Sequence, residues 1–481
     1  VFVHGWVVSH TNTYGGLPER LATEAAIRGI ELSVKEIFLG RYISFHDEVQ
    51  ISDVARAFGQ AIKDQLSNLL KNNGRFACIT HSTGGPIIRD WWHHLPKNIR
   101  CPMSHLIMLA PANNGSALAQ LGKGRLSRMK SWFDGVEPGQ GLLNWLELGS
   151  NDAWQLNHQW VDSDEKAIGA KGVFPFVLTG QSIDRSFYDH LNTYTGEIGS
   201  DGVVRLASAN LQINSIDLEQ KNSKLTIKAM SESPNVALKI LNGKSHSGKQ
   251  MGIMASVTKG IRDKKSSETI QCILDCLEIN TKPQYQRLSK LFAQQNSQNQ
   301  SQMQIEKVDY LFLPDSHFIH DKCSMVIFRV KDQEGHPIKD FDLILTAGKK
   351  SNPNQLPPGF LVDKQRNSIY PNTISYFFNH DLMKGCAEIV DEMGVSVRQA
   401  KLGTDKLGLQ IIPRPDSGFV HYQACEIAAS SELLENIIRV NATTLVDICL
   451  TRLVHKNVMT LDKGVKQRSF IRTKPGDDFI N

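Results

Sequence analysis

The sequence predicts an α/β domain with a largely parallel sheet, followed by a β-rich, sandwich-like domain. Residues 1 to about 260 alternate short apolar runs with helical patterns, which is typical of strands joined by crossover helices. From about residue 306 the chain changes to short runs rich in β-branched and aromatic residues, separated by Gly and Pro turn signals. The 481 residues are enough for both domains.

Within the first domain, four apolar runs are expected to form buried strands, and one long stretch has helical spacing. The strands are expected at 1–4, 76–80, 105–110 and 173–179, and the helical stretch spans 52–71. Two amphipathic helices are expected within 264–296, separated at Lys282-Pro283.

The polar run QQNSQNQSQMQ at 294–304 is expected to be an exposed connection between domains. The predicted boundary therefore divides a catalytic domain at 1–300 from a β-rich domain at 306–481. The catalytic domain is expected to contain an apolar insertion at about 120–160. Within the β-rich domain, 385–402 and 431–441 are candidates for helices.

Composition excludes several classes of protein. A formal net charge of +5 is far below the basic excess of a dedicated nucleic-acid binder, so no nucleic-acid partner is expected. No run of 18 apolar residues or signal-peptide pattern is visible. The eight cysteines are scattered, with no CxxC pair and no zinc spacing. We therefore expect reduced thiols, no metal site and synthesis in the cytoplasm.

The strongest motif is FACITHSTGGPIIRDWW at 76–92, in which an apolar strand meets Ser82 and a helix follows. This strand–turn–helix context is that of the nucleophile elbow in α/β-hydrolases. The usual G-x-S-x-G pattern has Thr80 at its first position here, which is tolerated if the local packing makes room. The alternative is an ordinary glycine-rich turn between strand and helix.

Val3-His4-Gly5-Trp6 resembles the early strand end that supplies the oxyanion hole in this fold. The backbone N–H groups of Trp6 and Thr83 are therefore the predicted oxyanion donors. His-Gly alone is common, so this prediction depends on the elbow that follows in the chain.

A catalytic serine needs a base and an orienting carboxylate, which follow it in the order Ser, Asp/Glu, His. We predict Asp201, in the segment GSDGVV, as the acid and His246, in GKSHSG, as the base. Asp184 and Asp189 remain rival acids. His190 is a rival base that would break the expected order.

The insertion at 127–157 carries many large apolar side chains, which suggests a lid or acyl-chain groove over the site. Simple packing of cap helices on the core is an equal alternative, and both can hold at once. The candidate substrate-contacting residues are Trp132, Phe133, Leu142, Leu143 and Trp145.

Taken together, VFVHGW with SHTNTYGGLPERL, THSTGG, GSDGVV and KSHSGK resemble the PlaB-type bacterial phospholipases A over the whole chain. The family's elbow is THSTGG, so the departure of Thr80 from the usual G-x-S-x-G pattern agrees with the resemblance. The resemblance places the family's triad on Ser82, Asp201 and His246. It implies phospholipase A and lysophospholipase activity, haemolysis, outer-membrane association without a cleaved signal peptide and homo-oligomers up to tetramers. It also implies a C-terminal domain needed for activity and regulation by NAD(H).

No cofactor is expected for the chemistry itself, and no G-x-G-x-x-G fingerprint is present for a dinucleotide. Two competing functions remain open from the sequence. One is an esterase or acyltransferase acting on soluble or protein-linked esters. The other is a non-catalytic binding or scaffold protein on a hydrolase fold, which a fluorophosphonate probe for Ser82 would distinguish.

Overall fold

The fold has two hydrophobic cores, one around a parallel sheet and one inside a curled sheet. The computed structural model describes residues 1–4, 14–44, 46–96, 99–120, 139–163, 167–183, 197–263, 267–302, 305–308, 316–348, 350–391, 393–404, 406–430 and 437–456. The predicted fold class, an α/β domain followed by a β-rich, sandwich-like region, is confirmed.

A six-stranded sheet with all neighbours parallel forms the centre of the first part, in the order β2-β1-β3-β4-β5-β8. Every residue of β5 is buried, as expected for a parallel sheet covered on both faces. The strands, numbered in chain order, are β1 (Phe2–His4), β2 (Glu36–Phe38), β3 (Phe76–His81), β4 (Met103–Leu109), β5 (Phe174–Gly180) and β8 (Ala237–Leu241).

Helices between these strands bury their apolar faces on the sheet. The helix predicted at 52–71 is present in two pieces, with a break at Leu66. A capping box between Gln50 and Asp53 begins the first piece. The helices are α1 (Leu17–Ile27), α2 (Ile51–Gln65), α3 (Ser67–Lys71), α4 (Gly84–His93), α5 (Gln140–Leu146), α6 (Asn151–Val161), α7 (Leu206–Ala209), α8 (Ser267–Leu277), α9 (Lys282–Gln302) and α10 (His380–Lys384), with short 3-10 turns at Leu39–Arg41 and Pro353–Gln355.

The polar run at 294–304 was wrongly expected to be an exposed connection, because α9 continues through it to Gln302. Asn296 is 7% exposed, and its amide donates to the Leu238 carbonyl at 2.8 Å and accepts from the Ile240 N–H at 2.8 Å. Both groups lie on β8, an edge strand of the parallel sheet. The amide-rich run therefore covers a sheet edge by hydrogen bonding to its backbone groups. A pattern of apolar residues does not indicate such a contact.

The second sheet has nine strands in the order β12-β19-β21-β7-β6-β22-β11-β14-β13. The Tyr376 hydroxyl on β14 donates to the Leu343 carbonyl on β12 at 2.5 Å, so strands near opposite edges meet across an apolar interior. One curled sheet thus produces the sandwich-like packing. Its strands are β6 (Ile213–Lys221), β7 (Lys224–Glu232), β11 (Cys323–Asp332), β12 (Phe341–Ala347), β13 (Leu361–Arg366), β14 (Thr373–Asn379), β19 (Lys406–Pro413), β21 (Cys425–Ser430) and β22 (Thr443–Leu450).

The curled sheet takes strands from both sides of the predicted domain boundary, since β6 and β7 precede it in the chain. Its outer face packs against the hydrolase core, which includes Met325, Ile327 and Phe377. The boundary at 300–306 stays a prediction.

The segment 385–402 was wrongly expected to be helical and instead forms short antiparallel pairs. Asp391 explains the turn, because its carboxylate accepts the N–H groups of Met393 at 2.9 Å and Val395 at 2.8 Å. The second candidate helix, 431–441, lies mainly outside the described residues. The short strands are β9 (Ile305–Val308), β10 (Ser316–Ile319), β15 (Gly385–Cys386), β16 (Ile389–Val390), β17 (Ser396–Arg398), β18 (Lys401–Leu402), β20 (Val420–Tyr422) and β23 (Arg452–Val454).

None of the helices in the described ranges combines the length and the apolar character needed to cross a bilayer.

Candidate active site

Ser82 occupies a sharp turn between β3 and α4. Its φ of +53° is in the left-handed region, which is uncommon and energetically costly for a serine, so the surrounding structure must hold it there. The Ser82 N–H donates to the Leu109 carbonyl at 3.0 Å, and its own carbonyl accepts from Ala112 at 3.3 Å. The turn is therefore held by the end of β4 and the loop that follows it, as a nucleophile elbow requires.

Close backbone approach explains the two glycines after Ser82 and the unusual Thr80. A side chain at Gly85 would place its Cβ 2.7 Å from Pro111, and one at Gly84 would place its Cβ 3.1 Å from the Cβ of Thr80. Thr80 is fully buried. The bulk that Thr80 adds to the motif is accommodated because Gly84, which faces it, has no side chain.

Asp201 lies in a fully buried loop that ends just before α7. One carboxylate oxygen, Oδ1, accepts the N–H groups of Val203 at 3.0 Å and Val204 at 2.8 Å. The other oxygen, Oδ2, lies 3.0 Å from Nδ1 of His246. Two backbone donors thus fix the carboxylate and leave one oxygen for the imidazole.

His246 lies in the loop after β8 and connects the two other side chains. Its Nε2 is 3.1 Å from the Ser82 Oγ, and its backbone N–H donates to the Asp201 carbonyl at 2.9 Å. His246 is 1% exposed and Asp201 is 0% exposed, so bulk solvent has little access to the contact between them. The structure brings the three predicted residues together in the order Ser–His–Asp needed for proton transfer.

His81 is a neighbour of the site whose contacts the sequence did not indicate. Its ring lies 4.7 Å from that of His246, centre to centre, and its Nε2 is 3.2 Å from the His246 carbonyl. Burial lowers the pKa of His81 well below its usual value, and the nearby His246 lowers it further. A neutral His81 can donate to that carbonyl and so help to position the His246 loop.

Arg205 anchors the acid loop to the curled sheet, and sequence reasoning missed it. It is 1% exposed, pairs with Glu197 at 2.8 Å and with Asp363 on β13, and lies 4.2 Å from the centre of the Phe377 ring. A charge four positions after Asp201 was the available signal, but its partners come from distant parts of the chain.

The other predicted site residues have mixed outcomes. Thr83 is buried next to Ser82, and no acceptor among the described residues receives its N–H. Leu142, Leu143 and Trp145 are buried in the first core, which agrees with the packing alternative, and their contact with substrate stays a prediction. Trp6, Trp132, Phe133 and the rivals Asp184, Asp189 and His190 lie outside the described residues.

Solved structures identify the family of the chain. No protein-family model and no curated protein matches it. It is similar to phospholipase PlaB from Legionella pneumophila, with 42% identity over 97% of this chain and 96% of that one and a TM-score of 0.86. It is also similar to the same phospholipase in complex with thio-NAD, with 41% identity over 97% of both chains and a TM-score of 0.85. The chain therefore belongs to the PlaB family of phospholipases.

Proposed function

We propose that the chain is a serine hydrolase that cleaves fatty-acyl esters of phospholipids and lysophospholipids. The observation that carries the proposal is the 3.1 Å approach of His246 Nε2 to the Ser82 Oγ, in a chain 42% identical to a phospholipase. The buried Asp201 carboxylate completes the triad. Ser82 is the proposed nucleophile, His246 the base and Asp201 the orienting acid.

The first half of the reaction forms an acyl-enzyme. The Nδ1–H group of His246 donates a hydrogen bond to the Asp201 carboxylate, which leaves the Nε2 lone pair facing the Ser82 hydroxyl. His246 takes the hydroxyl proton while the Ser82 Oγ attacks the ester carbonyl. The tetrahedral intermediate collapses, His246 returns the proton to the departing alcohol, and the fatty acyl group stays on Ser82.

Water completes the cycle. His246 removes a proton from a water molecule, the hydroxide attacks the acyl-enzyme, and the fatty acid leaves as Ser82 regains its proton. The Thr83 N–H, next to the nucleophile, is the proposed first oxyanion donor, and the Trp6 N–H is the proposed second. Loss of one such donor lowers kcat by about a hundredfold to a thousandfold.

The remaining family properties are proposals for this chain. They are binding to a phospholipid membrane surface, association with a bacterial outer membrane, haemolysis, and assembly into dimers or tetramers. Light scattering and vesicle flotation of the full chain would test assembly and membrane binding.

NAD(H) is a proposed regulatory ligand, supported by the relative in complex with thio-NAD. The sequence has no G-x-G-x-x-G turn, so a Rossmann-type cradle does not fit it. The triad needs no dinucleotide for acyl transfer, and no step passes through one. Isothermal titration of the full chain with NAD(H) would test this proposal.

Product analysis on mixed phospholipid vesicles tests the proposed function. Ser82→Ala removes only the nucleophilic oxygen, and we expect the hydrolysis rate to fall by about a millionfold while the fold is kept. Ser417→Ala, at an exposed position, is the matched control and should keep wild-type activity. Near-normal hydrolysis by a folded Ser82→Ala protein would contradict the mechanism.

Substrate form separates the lipid proposal from its alternatives. The wild-type chain should release fatty acid from phospholipid vesicles. Rapid cleavage of short soluble esters without release from vesicles would favour a soluble esterase. Absence of Ser82 labelling by a fluorophosphonate probe would favour a non-catalytic scaffold.

A further inference from the structure

A buried arginine without a carboxylate partner lies on the helix that follows the nucleophile. Arg89 is 3% exposed and belongs to α4. It donates to the side-chain oxygens of Asn113 at 3.2 Å and Asn157 at 2.9 Å. In the described part of the chain Arg89 forms no ion pair, and both of its acceptors are neutral amides.

The two amides use only part of the hydrogen-bonding capacity of the guanidinium. A guanidinium has five N–H donors, and the described residues receive two hydrogen bonds from Arg89. Burial lowers the pKa of Arg89 to about 9, with the neighbouring Asp90 raising it, so the group stays charged at neutral pH. A buried charge is costly unless an opposite charge compensates it.

A cavity of about 140 Å³ adjoins the Arg89 side chain. Trp92 and Trp160, with ring centres 5.7 Å apart, contribute to its wall together with Ser163 and Ala167. One water needs only about 10–15 Å³ measured in the same way. The cavity therefore has room for several waters or for one small polyatomic ion.

We propose that this cavity binds a small oxyanion, a phosphate group, through Arg89. The planar guanidinium matches the oxygens of phosphate. The ion would give Arg89 a negatively charged hydrogen-bond acceptor, whereas its acceptors among the described residues are neutral amides. Two indole rings form part of the wall, so apolar surface replaces part of the water around the pair, which strengthens the attraction. The phosphate can come from free inorganic phosphate or from a small phosphomonoester such as glycerol phosphate.

The experiment is calorimetric titration of the full-length chain with inorganic phosphate, and in a second arm with glycerol phosphate. Arg89→Gln removes the charge, and Ala167→Leu fills the cavity while leaving Arg89 in place. We expect each variant to weaken phosphate binding by at least about tenfold. Arg56→Gln, which removes an exposed arginine, is the matched control and should bind as wild type does.

The two arms identify the source of the phosphate group. Binding of inorganic phosphate alone indicates the free ion, and binding of both indicates that the cavity also accepts a monoester. The inference is wrong if the wild type binds neither at millimolar concentration, if chloride produces the same signal, or if folded Arg89→Gln and Ala167→Leu proteins both bind as tightly as wild type.

Two acids outside the described residues, Asp164 and Glu165, adjoin this wall in sequence and supply a further test. The wild type should bind phosphate with both acids intact. If phosphate binds only to a chain carrying Asp164→Asn and Glu165→Gln, an internal carboxylate is the partner of Arg89 and the inference fails. Melting temperatures of all variants verify that each one is folded.

Discussion

The replacement Asp201→Asn tests whether the acid sets the tautomer of His246. Oδ1 of Asp201 accepts N–H groups from Val203 and Val204, while Oδ2 faces the imidazole Nδ1 at 3.0 Å. In the variant, the amide oxygen should keep the two backbone donors, which turns the NH2 group toward Nδ1. The ring proton then moves to Nε2, where His246 donates to Ser82 and can no longer accept its proton.

The size of the effect follows from the alternative orientation of the amide. Turning its oxygen toward His246 would leave two buried N–H donors unpaired, at about 1–3 kcal/mol each. The total of about 2–6 kcal/mol means that about one molecule in thirty to one in twenty thousand holds the productive orientation. We therefore expect kcat to fall by about thirtyfold to twenty-thousandfold, with KM nearly unchanged.

Initial rates on a soluble acyl ester and on phospholipid vesicles, together with thermal melting, measure this prediction. The melting temperature should stay near that of wild type, because the amide retains a partner for each group it contacts. Asp416→Asn, at an exposed position, controls for loss of one negative charge. A folded Asp201→Asn protein whose kcat is within about threefold of wild type would refute the assignment of Asp201.

Three further predictions concern packing and stability. Gly180→Ala would place a Cβ 1.8 Å from the Lys244 carbonyl. We therefore expect the free energy of unfolding in urea to fall by about 1–3 kcal/mol, and kcat to fall because the His246 loop moves. An unchanged free energy of unfolding and an unchanged kcat would contradict this. Asn296→Ala leaves two backbone groups of β8 without their partner and should lower the free energy of unfolding by about 2–5 kcal/mol. Gln298→Ala, at an exposed position, should lower it little. Equal losses in the two variants would contradict the role of Asn296 at the sheet edge. Burial lowers the pKa of His105, so the unfolded chain binds more protons below about pH 6.5, and the free energy of unfolding should fall as pH decreases through that value. His105→Gln should reduce this slope, and an identical slope would exclude His105 as a source.

Much of the first sheet could be predicted from local pattern. The runs at 76–80, 105–110 and 173–179 are continuous and apolar because strands of a covered parallel sheet are buried on both faces, and the structure has β3, β4 and β5 there. Segments with an ambiguous or polar pattern were predicted less well. The run at 294–304 looked like a linker because its helix buries amides, including that of Asn296, rather than apolar groups.

By itself, the sequence determined the strand–turn–helix context of Ser82 and the chain order of Ser82, Asp201 and His246. Both depend only on the types of neighbouring residues and on their order along the chain. Only the tertiary structure decided that three loops, separated by up to 164 positions between Ser82 and His246, meet within hydrogen-bond distance.

The tertiary structure also decided that Arg205 ties the acid loop to β13, that β6 and β7 join the curled sheet and that Arg89 is buried without a carboxylate partner in the described ranges. The physical reason is that burial and ion pairing depend on contacts between segments that are far apart in the chain. The type of a residue does not reveal which partner, if any, its charge will meet.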